Sequence, residues 1–273
     1  MGLKFGTDGV RALALKELQP EWVTRLGAAA AKVIGVKTFV IAIDGRETGP
    51  ILAEALVNGL KQEHTHYEYL GIAPTPAVAH IASTYKFGGA VISASHNLSE
   101  YNGLKFFLPG GEKLSDKDQS AIETILAKET PALETNESLK ISSLREDLLS
   151  TWTSNLKDSI ISANLNGLRI VVDSANGAAS FFAPNLFRNL GAEVISIHDE
   201  PDGKNINLKS GSTDTTILQS LVKEIDADLG VAFDGDADRA LAIDKTGELV
   251  DGDSLLAIFA QDMKHRNVLN GDT

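Results

Sequence analysis

The chain has 273 residues, 43% of them hydrophobic and 23% charged, which suits about two soluble domains of ~100 to 200 residues and excludes a disordered or membrane-spanning chain. Thirty-seven acidic residues against 25 basic ones give a formal charge of -12, a balance that repels a phosphate backbone and argues against a nucleic-acid partner. With no cysteine there is neither a disulfide nor a thiolate zinc site, and Met1 to Arg11 lacks the apolar run of a signal peptide, so no membrane partner and a cytoplasmic location are expected.

From Trp22 onward helical and strand signals alternate. Trp22 to Ile34 is Ala-rich with apolar residues at helical spacing, and Thr38 to Ile43 is a β-branched run that ends at Asp44-Gly45. The unit recurs as helix Ile51 to Lys61, strand Tyr67 to Leu70, helix Pro76 to Tyr85 and strand Gly89 to Ser93. Asn102 to Leu108 is a further strand expected to pair back across the sheet. Ser115 to Lys128 is a helix opened by a Ser with Asp three residues on.

Glu129 to Ser143 is polar, lacks periodicity and is taken as a domain boundary, followed by a linking helix from Leu144 to Ile161. A second series then runs strand Leu168 to Asp173, helix Ser180 to Leu190, strand Glu193 to His198, a long loop to Asp214, helix Thr215 to Ile225 and strand Leu229 to Asp234. Ala240 to Asp244 and Leu249 to Val250, joined by Lys245-Thr246-Gly247-Glu248, read as a hairpin. Ser254 to Arg266 is an amphipathic helix with Leu255, Leu256, Ile258, Phe259 and Met263 on its apolar side. A strand is expected after it in a βαβ series, so the chain reads as the N-terminal portion of something longer, and its apolar helix face as a site of self-association, as in a homodimer. Alternation of this kind predicts α/β architecture: two tandem domains with mostly parallel mixed sheets, over 1–143 and 144–252, and the start of a third over 253–273.

Two segments carry chemistry. In Val91-Ile92-Ser93-Ala94-Ser95-His96-Asn97 an apolar strand runs straight into small polar residues, and the carboxyl edge of a parallel sheet is where ligands bind, so Ser95 can act as a nucleophile or phosphate carrier. In Asp234-Gly235-Asp236-Ala237-Asp238-Arg239, also directly after a strand, three carboxylates at alternate positions can converge on one hard divalent cation. An EF-hand is rejected, because its loop needs Gly where Arg239 stands and Glu where Lys245 stands. A phosphatase of the D-x-D-x-T type is disfavoured, because Asp238 stands where it needs Thr. Two weaker loops, Phe5-Gly6-Thr7-Asp8-Gly9-Val10-Arg11 and Asp44-Gly45-Arg46-Glu47-Thr48, each bring an Arg suited to phosphate, a surface Arg packing on Asp being the alternative for Arg46.

Together with Pro74-Thr75-Pro76-Ala77-Val78-Ala79 and Asn102-Gly103-Leu104-Lys105-Phe106-Phe107, these segments resemble the α-D-phosphohexomutase superfamily, most closely its branch acting on glucosamine phosphate. The resemblance spans the whole chain in the family's order. It implies that Ser95 is a phosphoserine and that Asp234, Asp236 and Asp238 hold one Mg²⁺ together with an oxygen of the Ser95 phosphate. It also implies that His96, Lys105, Arg11 and Arg239 line the transfer site, with Lys105 as base if neighbouring positive charge lowers its pKa. Arg239 and Arg46 are then expected on the substrate's phosphate. The implied reaction is an intramolecular phosphotransfer that converts glucosamine 6-phosphate to glucosamine 1-phosphate through a bisphosphorylated sugar. The branches acting on mannose or glucose phosphate, and a non-catalytic metal- and sugar-phosphate-binding fragment, remain alternatives. Leu98 departs from the Pro usual in the family, and members carry four domains where this chain stops as the third begins, so little activity is expected of it alone.

Overall fold

The computed structural model describes residues 3–6, 8–128, 144–160 and 164–269. Two five-stranded mixed sheets follow one another along the chain. The first combines β1 (Val10–Leu13), β2 (Thr38–Ile43), β3 (His66–Ile72), β4 (Gly88–Ile92) and β5 (Tyr101–Phe107) in the spatial order β1-β5-β4-β2-β3. β4, β2 and β3 are parallel, and β5 and β1 close one edge antiparallel.

Both faces of β2 are buried, and its alternation sorts the two core layers. Phe39, Ile41 and Ile43 face α1 (Pro20–Ile34), α2 (Gly49–Gln62) and α4 (Asp116–Ala127), whereas Val40 and Ala42 face α3 (Thr75–Tyr85) and α5 (Glu146–Ser159). α1 begins with Pro in its first turn and ends at Gly35, whose left-handed φ of 68° no β-carbon opposes. α4 carries the expected capping box between Ser115 and Asp118. The second sheet combines β6 (Arg169–Asp173), β7 (Glu193–Ile197), β8 (Leu229–Phe233), β9 (Ala240–Asp244) and β10 (Leu249–Val250) in the order β10-β9-β8-β6-β7, between α6 (Ala183–Asn189) and α7 (Thr216–Glu224). β7, β6 and β8 are again parallel and β9 antiparallel, so β4 and β8 occupy equivalent places in the two sheets. α8 (Gly252–His265) has no buried residue, and Leu256, Ile258 and Phe259 are exposed. No described helix is long and apolar enough to cross a membrane.

Two local readings change. Val10–Leu13 is a strand rather than part of a glycine-rich loop; four residues are too few for alternation to show, and antiparallel pairing of Arg11 with Gly103 supplies what local pattern lacks. α6 starts at Ala183, three residues later than expected, with Pro184 in its first turn. The proposed boundary at 129–143, Ile161 and the Asn270-Gly271 turn lie outside the described residues.

The long loop after β7 ties the sheets together. Gly203 accepts a bond from the Glu47 backbone amide at 3.0 Å, while the Asn207 backbone N–H, donating to the Ala175 carbonyl at 2.9 Å, holds the loop to the turn after β6. The loop is anchored at His198, whose Nδ1 lies 3.0 Å from a carboxylate oxygen of the buried Asp173. The Asp173 hydrogen bond raises the His198 pKa despite partial burial, so the pair's contribution is fully present below the unfolded value of ~6.5 and is lost as pH rises through the higher folded value. The stability gap between wild type and His198→Gln, measured by urea unfolding, should be widest below ~pH 6.5 and narrow toward alkaline pH. A gap independent of pH would contradict the pairing.

Candidate active site

The fully buried strand β4 delivers the chain to Ser93, Ala94 and Ser95 at the carboxyl edge of the first sheet. Ser95 is 1% exposed and takes a left-handed φ of 51°, a conformation costing about 1 to 3 kcal/mol for a residue with a β-carbon unless its surroundings enforce it. They do so from both ends. Ser93 Oγ accepts the Ser95 amide at 2.8 Å, while Arg46 Nη2 donates to the carbonyls of Ser95 and Asn97 at 3.0 and 2.9 Å. Arg46 Nη1 reaches the carbonyls of Leu98 and Tyr101 at 2.5 and 3.1 Å, and its Nε lies 2.9 Å from Asp44. Burial pushes the Asp44 pKa up against the pull of Arg46. Asn207, from the loop of the second sheet, donates to the same Ser95 and Asn97 carbonyls at 2.8 and 2.9 Å.

The acidic loop descends from β8 onto this serine. Gly235 permits the approach, since a β-carbon there would lie 2.6 Å from the Ser95 carbonyl oxygen. The Ser95 hydroxyl donates to Asp234 at 2.7 Å and accepts from Arg239 Nη2 at 2.7 Å. Asp234, Asp236 and Asp238 bring one carboxylate oxygen each within 4.8 Å of one another, and Lys105 Nζ lies 2.7 Å from Asp236, 3.0 Å from Asp238 and 2.7 Å from Asp8. Burial, then the charge of Asp236, raises the Asp234 pKa to about 6. Burial opposes ionisation of Asp236 as well, but the charge of Lys105 and hydrogen bonds from Lys105 and Thr75 outweigh it and keep that carboxyl low. Asp8 is held well below the usual carboxylate range by Lys105 and Lys113, again against burial. The three aspartates fit a hard divalent cation: every donor is an anionic oxygen, and the buried Oδ1 of Asp236 has no hydrogen-bond partner.

Above the two loops opens a cavity of about 570 Å³ lined by Lys4, Gly6, Asp8, Gly9, Arg11, Ser95, His96, Asp238 and Arg239. His96 stands exposed at its wall with Nδ1 against Arg239; partial desolvation and then the charges of Arg239 and Arg11 lower its pKa. Arg11 projects from β1 and pairs with Asp8 at 2.8 Å.

Two assignments need correction. Arg46 is 1% exposed with Nε, Nη1 and Nη2 all bonded to Asp44 or to loop carbonyls, so it clamps the serine loop from beneath and is not available to a substrate phosphate. The condition attached to Lys105 as a base is not met: three carboxylates, not positive charges, surround it, and they raise its pKa despite burial. Asp8, Thr75, Lys113 and Asn207 also belong to the site's fabric. Asp8 and Thr75 lie inside motifs already noted, whereas nothing local marks Lys113 or Asn207.

Models of the phosphoglucomutase/phosphomannomutase α/β/α domains I and II match residues 2–133 and 150–247. The chain belongs to this family. Among curated relatives, the phosphoglucosamine mutases of Caldanaerobacter subterraneus subsp. tengcongensis and Desulforudis audaxviator are 46% and 44% identical to it, each aligned over 280 residues. Both alignments cover 100% of this chain and 62% of the relative, so the chain spans about three fifths of their length. A crystal structure of a phosphoglucomutase/phosphomannomutase family protein from Burkholderia thailandensis is 27% identical, with a TM-score of 0.79 over 96% of this chain and 59% of that one.

In this member of the family the serine loop carries Leu98, and the Arg46 clamp supplies the restraint on its carbonyl. Removing one partner of a buried ion pair strands the other, so Arg46→Met should lower the unfolding free energy by ~3 to 5 kcal/mol in urea titration, and Arg46→Lys, without the planar fork, should recover only part of it. A loss below ~1 kcal/mol, within reach of an exposed pair, would contradict the clamp.

Proposed function

We propose that the chain carries the phosphoryl-transferring part of a phosphoglucosamine mutase, in which Ser95 bears the phosphoryl group exchanged with a glucosamine phosphate. The observation that carries this reading is the Ser95 hydroxyl itself, gripped between Asp234 and Arg239 on the floor of a cavity into which Lys4, Arg11 and Arg239 bring positive charge. Relatives of that name at 44 to 46% identity favour the amino sugar over other hexose phosphates. The phosphorus–oxygen bond to Ser95 breaks as a bond to the sugar hydroxyl forms, the proton lost by that hydroxyl ending on Ser95 Oγ, which gives a bisphosphate and a free serine hydroxyl; the sugar then turns over and returns its other phosphoryl group to Ser95 by the reverse exchange.

Such a transfer is governed by positioning and by stabilisation of spreading negative charge. Arg239, which already touches Ser95 Oγ, would hold the phosphoryl oxygens, and Arg11 and His96 flank the same space. Before loading, Asp234 accepts the hydrogen bond of the Ser95 hydroxyl and so orients Oγ at the cavity floor. Lys105 balances Asp8, Asp236 and Asp238 as a fixed cation. A Mg²⁺ held by Asp234, Asp236 and Asp238 would supply further neutralisation next to the transferred group. The cytoplasm is the proposed setting.

Peptide mapping tests the assignment. Chain incubated with a hexose 1,6-bisphosphate should carry one phosphate, on Ser95, and Ser95→Ala should carry none. Phosphate found elsewhere, or Ser95 bare both as purified and after incubation, would overturn it.

A further inference from the structure

Thr75 takes no part in the chemistry above, yet it is where the first domain grips the acidic loop of the second. It begins α3, is 5% exposed, and sits between Pro74 and Pro76, whose rings restrict the backbone on either side. Two of its atoms bond to Asp236. The Thr75 amide donates to the Asp236 carbonyl at 2.9 Å, and Oγ1 donates to Asp236 Oδ2 at 2.6 Å.

Lys105 Nζ donates to that same Oδ2 at 2.7 Å. Both side-chain donors therefore converge on one oxygen of the carboxylate, and the other, Oδ1, is left buried and without a hydrogen-bond partner. A buried acceptor in that state is costly unless something else uses its lone pairs. Asp236 is fully buried and shares its cluster with Asp234 and Asp238, so a cation is the group that would use them.

We propose that Thr75 is a positioning residue of the metal site: its hydroxyl holds Oδ2 of Asp236, fixes the plane of the carboxylate, and reserves Oδ1 for a divalent cation. This rests on reading the three aspartates as a magnesium site. Partners that orient a metal-binding carboxylate commonly change metal affinity 10- to 100-fold when removed. Because Thr75 lies in the first domain and Asp236 in the second, magnesium affinity also reports how the two are seated.

Thr75→Val keeps the shape and the backbone bond and removes only the hydroxyl, and Thr75→Ser restores one. Magnesium titration calorimetry on the full chain should show binding by wild type, none by Asp236→Asn, a ~10- to 100-fold weaker affinity for Thr75→Val, and recovery of most of that loss in Thr75→Ser. A purely structural role would instead lower the melting temperature in chelator and leave magnesium affinity unchanged. Thr75→Val binding magnesium like wild type, with Asp236→Asn inert, would overturn the role of Thr75 and leave the metal site standing. Wild type and Asp236→Asn titrating alike would overturn the metal site and this inference with it. If Thr75→Val fails to fold, Thr75→Ser decides: an affinity as weak as that expected for the valine variant contradicts the proposal.

Discussion

The site depends on one constraint: Ser95 must be held in a left-handed backbone conformation, with its hydroxyl between a carboxylate and a guanidinium that belong to the other sheet. Neither loop is built by its own domain alone. The serine loop takes Arg46 from the first domain and Asn207 from the second onto the same two carbonyls. The acidic loop takes Lys105 and Thr75 from the first domain onto Asp236. Buried polar networks are stable only when nearly every member is satisfied, so each domain supplies the partners that make the other's loop tolerable.

The two sheets meet as equivalents. β4 and β8 hold the same place in their sheets, each with a parallel neighbour on one side and an antiparallel strand on the other, and the reactive serine and the acidic cluster follow their carboxyl ends. Asp44 and Asp173, both fully buried, follow or end the neighbouring strands β2 and β6 and brace their loops through Ser93 and Arg46 in one case and His198 in the other. The arrangement places two ligand-binding sheet edges face to face, which is how a small number of loops can enclose a charged cavity.

Much of this was legible in the sequence because local pattern and tertiary role agree. The buried run Thr38–Ile43, the Ser115 cap and the Asp234 to Arg239 loop all announce themselves by residue type and spacing. The failures share a physical cause. β1 exists through pairing with β5 and not through its own four residues. Arg46 looks like a surface phosphate ligand because five donors and a charge are equally suited to phosphate and to four backbone carbonyls; only burial distinguishes the two. A base at Lys105 calls for positive charge beside it, but the fold brings Asp8, Asp236 and Asp238 from distant segments, a sign of charge that linear spacing does not encode. Asn207 lies in a loop without periodicity, and its part is set by a partner 112 residues away.

Hydrogen–deuterium exchange tests the mutual support of the two loops most directly. In Asn207→Ala, exchange across residues 93–98 should rise while the central strand Thr38–Ile43 keeps its wild-type protection, because the serine loop loses the two bonds that Asn207 donates to its carbonyls and the first domain's core is untouched. Unchanged protection across 93–98 would contradict the account, since the two bonds from Asn207 would then contribute nothing to holding the serine loop.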